Sequence, residues 1–278
     1  AHGVITTLKL FTLYELVAGN EYWGGRFKRM FPRHDLRQMG NSFAFFEINA
    51  HAPFYNKINE ALMLNTDEFY TSYVHDPVLN SRMEFVESIV CDPDDLVSIG
   101  AFSMVEGGIL YSAFAYLKHF QCEGKNKIMN VVRGINFSVR DENHHCEGGS
   151  WAYRTLMDEK RAAGLFNDTD KVALDNRMQE TALTIYEHES RIIDMMFEKG
   201  EVDGIKKHDL KEFVKSRLNL CLANLRVPAI FEVTENPIAD WFYDNINAIK
   251  FHDFFTGTGS EYNRNWDRSR LSWSGSND

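Results

Sequence analysis

Glu142 and His145 stand three residues apart in Val139-Arg140-Asp141-Glu142-Asn143-His144-His145, and Glu47 and His51 stand four apart in a stretch carrying Phe43, Phe45, Phe46 and Phe54. On a helix, residues at either spacing share a face, so each carboxylate and imidazole can aim at one point. A polar, ionisable pair directed into apolar surroundings needs a reason, and a bound cation offsets the cost of burying the carboxylate. Glu106 carries the same implication. It is almost the only charge in the middle of a very apolar run from Leu96 to about Phe120, where an isolated carboxylate would be expensive to desolvate. Glu15, between Tyr14 and Leu16, reads on its own as a solvent-facing glutamate of an amphipathic helix.

Other polar clusters read differently. Glu187-His188-Glu189 has a ligand-like composition, but adjacent residues diverge on a helix, so it is expected on a solvated face. Cys146 directly follows His145 and reads as a small buried residue, because oxygen and nitrogen ligands are plentiful nearby. His75, followed by Asp76-Pro77, reads as a helix-end residue.

These residues need helices to position them. Six prolines in 278 residues and long stretches of helical period predict a mostly α protein. A first helix is expected from about Thr6 to Val17, stopping near Gly19-Asn20. A second begins around Asp35 or Asn41, and Pro53 should distort it one turn earlier, near Asn49, as a π-bulge does. Thr66 to Ser88 forms one helix or two short ones, and Asp92-Pro93-Asp94-Asp95 turns into the apolar helix from Leu96 to about Phe120. After a break at Gly124, helices are expected from about Asn126 to Arg161, Asp168 to Lys199 and Asp209 to Leu225. Val227-Pro228 and Glu235-Asn236-Pro237 mark a loop-rich end, and Ser269 to Asp278 reads as poorly ordered.

Composition sets the outer bounds. The formal net charge of −10 excludes a basic face for non-specific nucleic-acid binding. Hydrophobic content of 44% and charged content of 25% describe a globular protein, and no apolar run reaches the ~20 residues of a membrane-spanning helix. The opening AHGVITTLKLFTLYELVAG lacks the basic start of a signal peptide. Cys91, Cys122, Cys146 and Cys221 are far apart, which argues against a disulfide framework or structural zinc and fits a reducing cytoplasm. One domain over 1–278 is expected, with about 266–278 a poorly ordered tail.

Taken as a set, Glu15, Glu47 with His51, Glu106, and Glu142 with His145 come from four helices. A glutamate from each of two helices and a Glu/His pair from each of two others is the inventory of ferritin-like di-iron or di-manganese carboxylate proteins. Four carboxylates balance two divalent ions, and mixed oxygen and imidazole ligation suits iron or manganese. The expected fold class is all-α, a ferritin-like helical bundle with a dimetal carboxylate site in its core.

The chain resembles the small, radical-generating (beta) subunit of class I ribonucleotide reductase. Arg140-Asp141-Glu142-Asn143-His144-His145 is similar to that family's Arg-Asp-Glu-x-x-His, and Phe43 to Glu47 followed by His51 and Tyr55 looks like its first metal-binding and radical-site helix. Asn236-Pro237-Ile238-Ala239-Asp240-Trp241, then Phe254-Phe255 and Glu261-Tyr262, resemble its C-terminal region. The resemblance implies the six residues above as ligands of two ions (two iron, two manganese, or one of each), with Asp141 orienting His51 and serving radical transfer. Where the family's first pair is usually Glu-x-x-His, this chain has one more residue between Glu47 and His51. Aligned on His51, Tyr55 takes the radical-tyrosine position; aligned on Glu47, Phe54 does, and the oxidising equivalent would reside on the metals. The family's N-terminal radical-transfer tryptophan has no evident match, Trp23 lying after Glu15, and the C-terminal docking peptide is not recognisable. The implied activity is that of a ribonucleoside-diphosphate (or triphosphate) reductase small subunit. An oxygen-derived oxidant would create a one-electron oxidant that starts reduction in a large catalytic subunit; a homodimer and an activating flavoprotein are further implied partners. A stand-alone ferritin-like dimetal oxidase or monooxygenase is the alternative, with metal storage below it.

Overall fold

Two helical stretches of wider than usual pitch set the positions of everything around the candidate site. The computed structural model describes residues 1–247 apart from 12, 123 and 124. The expected break at Gly124, the tail and the motifs at Phe254-Phe255 and Glu261-Tyr262 lie outside the described residues. Ala1–Ile246 form one compact unit.

The first helix is α1, His2–Leu10; after a turn, α2 (Tyr14–Leu16) runs directly into a π-helical stretch, Val17–Phe27, and then α3, Lys28–Met30. The helix therefore does not stop at Gly19-Asn20. A Cβ on Gly24 would lie 2.8 Å from the Gly19 carbonyl oxygen, and one on Gly25 2.9 Å from that of Asn20, so glycine lets these turns pack five residues apart. Gly19 has a second use: a Cβ there would meet Ile48 Cγ1 at 2.7 Å, so its absence lets this stretch press against the next helix.

That next helix is α4, His34–Phe46, followed by a π-helical turn at Glu47–His51 and α5, Ala52–Ala61. Pro53 sits in the first turn of α5 and has no N–H to donate to the carbonyl four residues back, and the widened turn falls directly before it. The distortion expected from Pro53 is thus present.

Thr66 caps α6, Asp67–His75, and Asp76 caps α7, Pro77–Val90, by accepting from the Val78 and Leu79 amides. Asp94 caps α8, Asp95–Gly108, in the same way. The single helix expected up to about Phe120 is broken at Ile109-Leu110, and α9 is Tyr111–Lys118. Two buried arginines take up carbonyls at this break: Arg82 Nη2 donates to Ile109 O (3.1 Å), and Arg217 donates through Nε and Nη2 to Gly107 O (3.2 and 3.1 Å). The long helices α10 (Met129–Ala162), α11 (Asp168–Met196, opened by an Asn167/Asp170 capping box) and α12 (Lys207–Asn224) follow. Where the sequence reads as loop-rich after Pro237, the chain forms α13, Pro237–Asn247, because Ile238 and Phe242 find buried places, Phe242 beside Tyr111 and Phe213. Among the described residues the only β pairing is an isolated bridge, Val202 with Ile205.

α8 is the axis of the bundle, packing on α10, α11 and α12, and every residue from Leu96 to His119 is buried. Contrary to the reading that no run is apolar enough, Asp95–Lys118 has the length and hydropathy to cross a membrane, yet its apolar window is wholly enclosed by the other helices. A helix apolar on all sides is what a core position asks for.

The structure also corrects the reading of Glu187-His188-Glu189. Glu187 is exposed, but His188 and Glu189 are buried, because α11 is covered by α1, α7, α8 and α12 on several sides and adjacent positions can both face inward. Glu189 accepts from the Ser112 hydroxyl, and Arg82 Nε lies 3.9 Å from its other oxygen. Burial raises the Glu189 carboxyl to about 7, against the opposing pull of Arg82 and Ser112. A folded-state pKa above the unfolded value means that the native state holds the extra proton, so this group's contribution is fully present below the ordinary pKa of 4.5 and lost as pH rises through about 7. Glu189→Gln is therefore expected to gain stability relative to the wild type between pH ~5 and ~8, by up to roughly 3 kcal/mol, in denaturant titrations at several pH values. A constant difference across that range would show that Glu189 does not hold a proton.

Candidate metal centre

Glu47 and Glu142 lie between two histidines and divide their oxygens between them. Glu47 places Oε2 3.2 Å from His51 Nδ1 and Oε1 2.7 Å from His145 Nδ1. Glu142 places Oε1 3.2 Å from His51 Nδ1 and Oε2 3.4 Å from His145 Nδ1. Glu15 stands only on the His51 side, at 3.6 Å, and Glu106 only on the His145 side, at 3.7 Å. The outcome is two overlapping sets, Glu15, Glu47, His51 and Glu142 on one hand and Glu47, Glu106, Glu142 and His145 on the other. In each set the candidate ligand atoms lie within 4.8 Å of one another. The arrangement is one of two shared carboxylates, two end carboxylates and one imidazole for each half.

Each ligand candidate is held by a different part of the fold. Glu15 comes from α2, Glu47 and His51 open and close the π-helical turn, Glu106 comes from α8, and Glu142 and His145 from α10. The four-residue spacing of Glu47 and His51 is reconciled with a shared aim by that widened turn, which absorbs the additional residue. All six are buried.

Both oxygens of Glu15 and of Glu142, Glu47 Oε1, Glu106 Oε2 and His145 Nδ1 are buried without a hydrogen-bond partner. Buried polar atoms are almost always satisfied, so a group of orphans aimed at one place fits a pair of cations. In the protein's own protonation pattern, burial opposes charge on His51, but Asp141, Glu142, Glu15 and Glu47 outweigh it and raise its pKa. His145 is likewise raised, burial being overcome by Glu47, Glu106 and Glu142. Burial, then the neighbouring carboxylates, raise Glu15 and Glu106. Glu47 and Glu142 are lowered, since hydrogen bonds and the charged imidazoles win over burial.

Around the six, Asp141 Oδ2 accepts from His51 Nε2 at 3.0 Å, so Nδ1 is left to face the centre. Tyr55 is buried, stacks on Phe11 at 4.0 Å between centroids and donates its hydroxyl to Ser138 Oγ at 3.0 Å. Its pKa is raised by burial, then by Glu15. Phe54 is only partly buried, with its ring over Gly134 on α10.

Two residues at the site were not singled out from sequence. Trp23 is fully buried, and its Nε1 donates to Glu106 Oε1 at 2.7 Å, fixing one oxygen and leaving Oε2 free to face inward. It was placed beyond the expected end of the first helix, and only the continuous π-helical stretch carries it back to the core. Tyr14 is buried with its hydroxyl unpartnered, and burial followed by Glu106, Glu142, Glu47 and Glu15 raises its pKa. The adjoining Glu15 was the available signal.

Comparisons with known proteins cover the stretch of chain that carries the site. Residues 2–237 match the family model described as "Ribonucleotide reductase, small chain". The chain is 27% identical over 257 residues, 85% of its own length, to a protein of Invertebrate iridescent virus 3 named "Probable ribonucleoside-diphosphate reductase small subunit 048L", of which it covers 66%. It is 25% identical over 225 residues, 80% of its length, to the Mycobacterium tuberculosis "Ribonucleoside-diphosphate reductase subunit beta nrdF2", covering 65% of that protein. The chain thus spans just under two thirds of these relatives. In fold it is similar to the Streptococcus sanguinis dimanganese(II)-NrdF crystal structure, with a TM-score of 0.72 at 22% identity, covering 86% of this chain and 81% of that one.

Because ligation needs deprotonated imidazoles and carboxylates, and the pKa values of His51, His145, Glu15 and Glu106 are all raised, loading with Mn²⁺ or Fe²⁺ is expected to release protons. The apparent affinity should accordingly weaken as pH falls. Indicator-dye titration in weak buffer measures the release; binding without proton release would contradict the protonation pattern. Glu106→Ala removes an end carboxylate and should reduce the metal content towards about one ion per chain by elemental analysis, since ligand count sets occupancy. Unchanged stoichiometry would remove Glu106 from the ligand set.

Proposed function

Since this chain belongs to the family of ribonucleotide reductase small chains, we propose that it is a radical-generating subunit that supplies an oxidising equivalent for the reduction of ribonucleotides to deoxyribonucleotides in a separate large catalytic subunit. The observation that carries the reading is the sharing of Glu47 and Glu142 between His51 and His145, with Glu15 and Glu106 at the two ends. Iron and manganese both accept this oxygen-rich, two-imidazole set. When bound, such a pair reacts with dioxygen or a derivative of it and stores the oxidising power that the protein then directs.

The chain's own residues have three tasks. Glu15, Glu47, His51, Glu106, Glu142 and His145 would hold the two ions, with Glu47 and Glu142 facing both imidazoles. Phe11, Phe43, Trp23 and Phe102 line the neighbourhood with aromatic side chains and keep water away, which preserves a reactive oxidant. Tyr55 offers an oxidisable phenol within electrostatic reach of Glu15, held in place by the hydrogen bond that its hydroxyl donates to Ser138 Oγ. Asp141 holds His51 by its outer nitrogen and is the candidate for carrying the equivalent onward.

The Streptococcus sanguinis relative in its dimanganese form supports manganese as one occupant. With manganese, an activating flavoprotein would supply the oxidant. The four free cysteines support a reducing, cytoplasmic setting. A homodimer paired with the large subunit is the proposed assembly. The match to reductase small chains favours this reading over a stand-alone oxidase.

Electron paramagnetic resonance after metal loading and oxidation is expected to show a tyrosyl radical that Tyr55→Phe abolishes, together with a loss of nucleotide reduction of at least about 100-fold with the cognate large subunit. A Tyr55→Phe variant with full activity would move the oxidising equivalent to the metals or to Tyr14. Failure of the wild-type chain to support reduction with its cognate large subunit would overturn the function.

A further inference from the structure

Cys146 and Cys221 form a buried thiol pair that the chemistry above leaves unused. Their sulfurs are 3.9 Å apart and each residue is 1% exposed. Cys146 follows His145 on α10, and Cys221 lies on the facing α12. Both sulfurs occupy the space above Gly107, which follows Glu106 on α8. A Cβ at Gly107 would lie within 2.6 Å of Cys146 Sγ and closer still to Cys221 Sγ, so the glycine is what admits both thiols. Cys146 is thus the residue after His145, and both sulfurs lie against Gly107, the residue after Glu106.

The surroundings hold the pair in place. Arg217 binds the Gly107 carbonyl through Nε and Nη2, and Asn224 Nδ2 lies 4.0 Å from Cys146 Sγ. Neither cysteine belongs to the sets that could hold a metal. The other two cysteines are elsewhere: Cys91 is exposed, and the Cys122 thiol donates to Lys118 O. A disulfide bond of ~2.05 Å would ask each sulfur to move by roughly 1 Å.

We propose that Cys146 and Cys221 are an internal two-electron donor that returns an oxidised metal pair to its divalent state when the oxidising equivalent has not been passed on. The inference rests on the proposed dimetal function. In the step, both S–H bonds break and one S–S bond forms; two protons are released to solvent, and two electrons reduce two trivalent ions to divalent ones. The oxidant is the trivalent metal pair. Both thiols are buried out of reach of solvent oxidants, Cys146 follows His145, and the pair packs on Gly107, which follows Glu106, so its nearest electron acceptor is the centre inside the protein.

The test uses the full chain, loaded with Fe²⁺ without oxygen, then exposed to oxygen, unfolded in an alkylating agent and digested for mass spectrometry. The expected product is a linked peptide pair containing Cys146 and Cys221, lighter by two hydrogens than the two thiol peptides, formed as the ferric absorption decays. Metal-free chain given the same oxygen should keep both thiols open to alkylation, and Cys91 and Cys122 should stay free in both samples. Ferric absorption that develops and decays with both thiols still free overturns this inference alone. A linked pair formed equally without metal also overturns it. A chain that takes up no iron overturns both this and the proposed function. In Cys146→Ser and Cys221→Ser, iron uptake should be unchanged and ferric decay slowed several-fold; decay at the wild-type rate counts against the donor role.

Discussion

Four carboxylates share one dry core, and their mutual repulsion is the constraint on which the rest of this structure depends. Without positive charge the arrangement could not persist, because desolvating even one unpaired carboxylate costs several kcal/mol. The protein answers by raising the pKa of both imidazoles and of Glu15 and Glu106, which favours the protonated form of each. Protons and metal ions are thus alternative occupants of one charge balance. The groups set around the ligand candidates fit this: aromatic rings, the Trp23 indole N–H on Glu106 and the Asp141 carboxylate on His51.

The same constraint accounts for the irregular helices. Pro53 has no N–H for the carbonyl four residues back, and the π-helical turn at Glu47–His51 falls directly before it, while the longer one at Val17–Phe27 lets Gly19 press against that turn and returns Trp23 to Glu106. Irregularity of this kind weakens local hydrogen bonding, so the burden of rigidity falls on α8 and on the two arginines that satisfy the carbonyls at its broken end. Arg217 joins the two needs in one side chain: it stacks on Tyr111 at 3.9 Å while bonding to the backbone one residue after Glu106.

Much of this was legible in the sequence, for a definite physical reason. A glutamate in a strongly apolar run, or a Glu/His pair on one helical face, is costly without a cation, so Glu106, Glu47 with His51 and Glu142 with His145 announce themselves. Pro53 likewise forecasts the distorted turn. Glu15 gained meaning only from the others. What stayed hidden depends on tertiary placement. Trp23 is apolar and ordinary in sequence, and its role comes from a π-helical stretch that glycines would ordinarily argue against. Glu189 reads as exposed because adjacent residues diverge on a helix, whereas α11 is covered on several sides. α13 forms where proline and polar residues suggest a loop, since its apolar residues meet Tyr111 and Phe213 only after the chain has folded.

The positions of the polar groups also bear on how an oxidising equivalent would leave so closed a site. The six ligand candidates, Trp23, Tyr14 and Tyr55 are all buried, and Trp23 has its indole N–H committed to Glu106. Asp141 is different: its side chain is 31% exposed while its carboxylate holds His51. Of the groups hydrogen-bonded to the ligand set, it is the one that reaches the surface. A path from the centre through His51 to Asp141 therefore crosses the protein's boundary in two side chains, and it does so on α10, the helix that also supplies Glu142 and His145. Any partner receiving the equivalent would be served best by docking over that face, where a displacement of Asp141 would alter the His51 hydrogen bond and, through it, the charge balance of the centre.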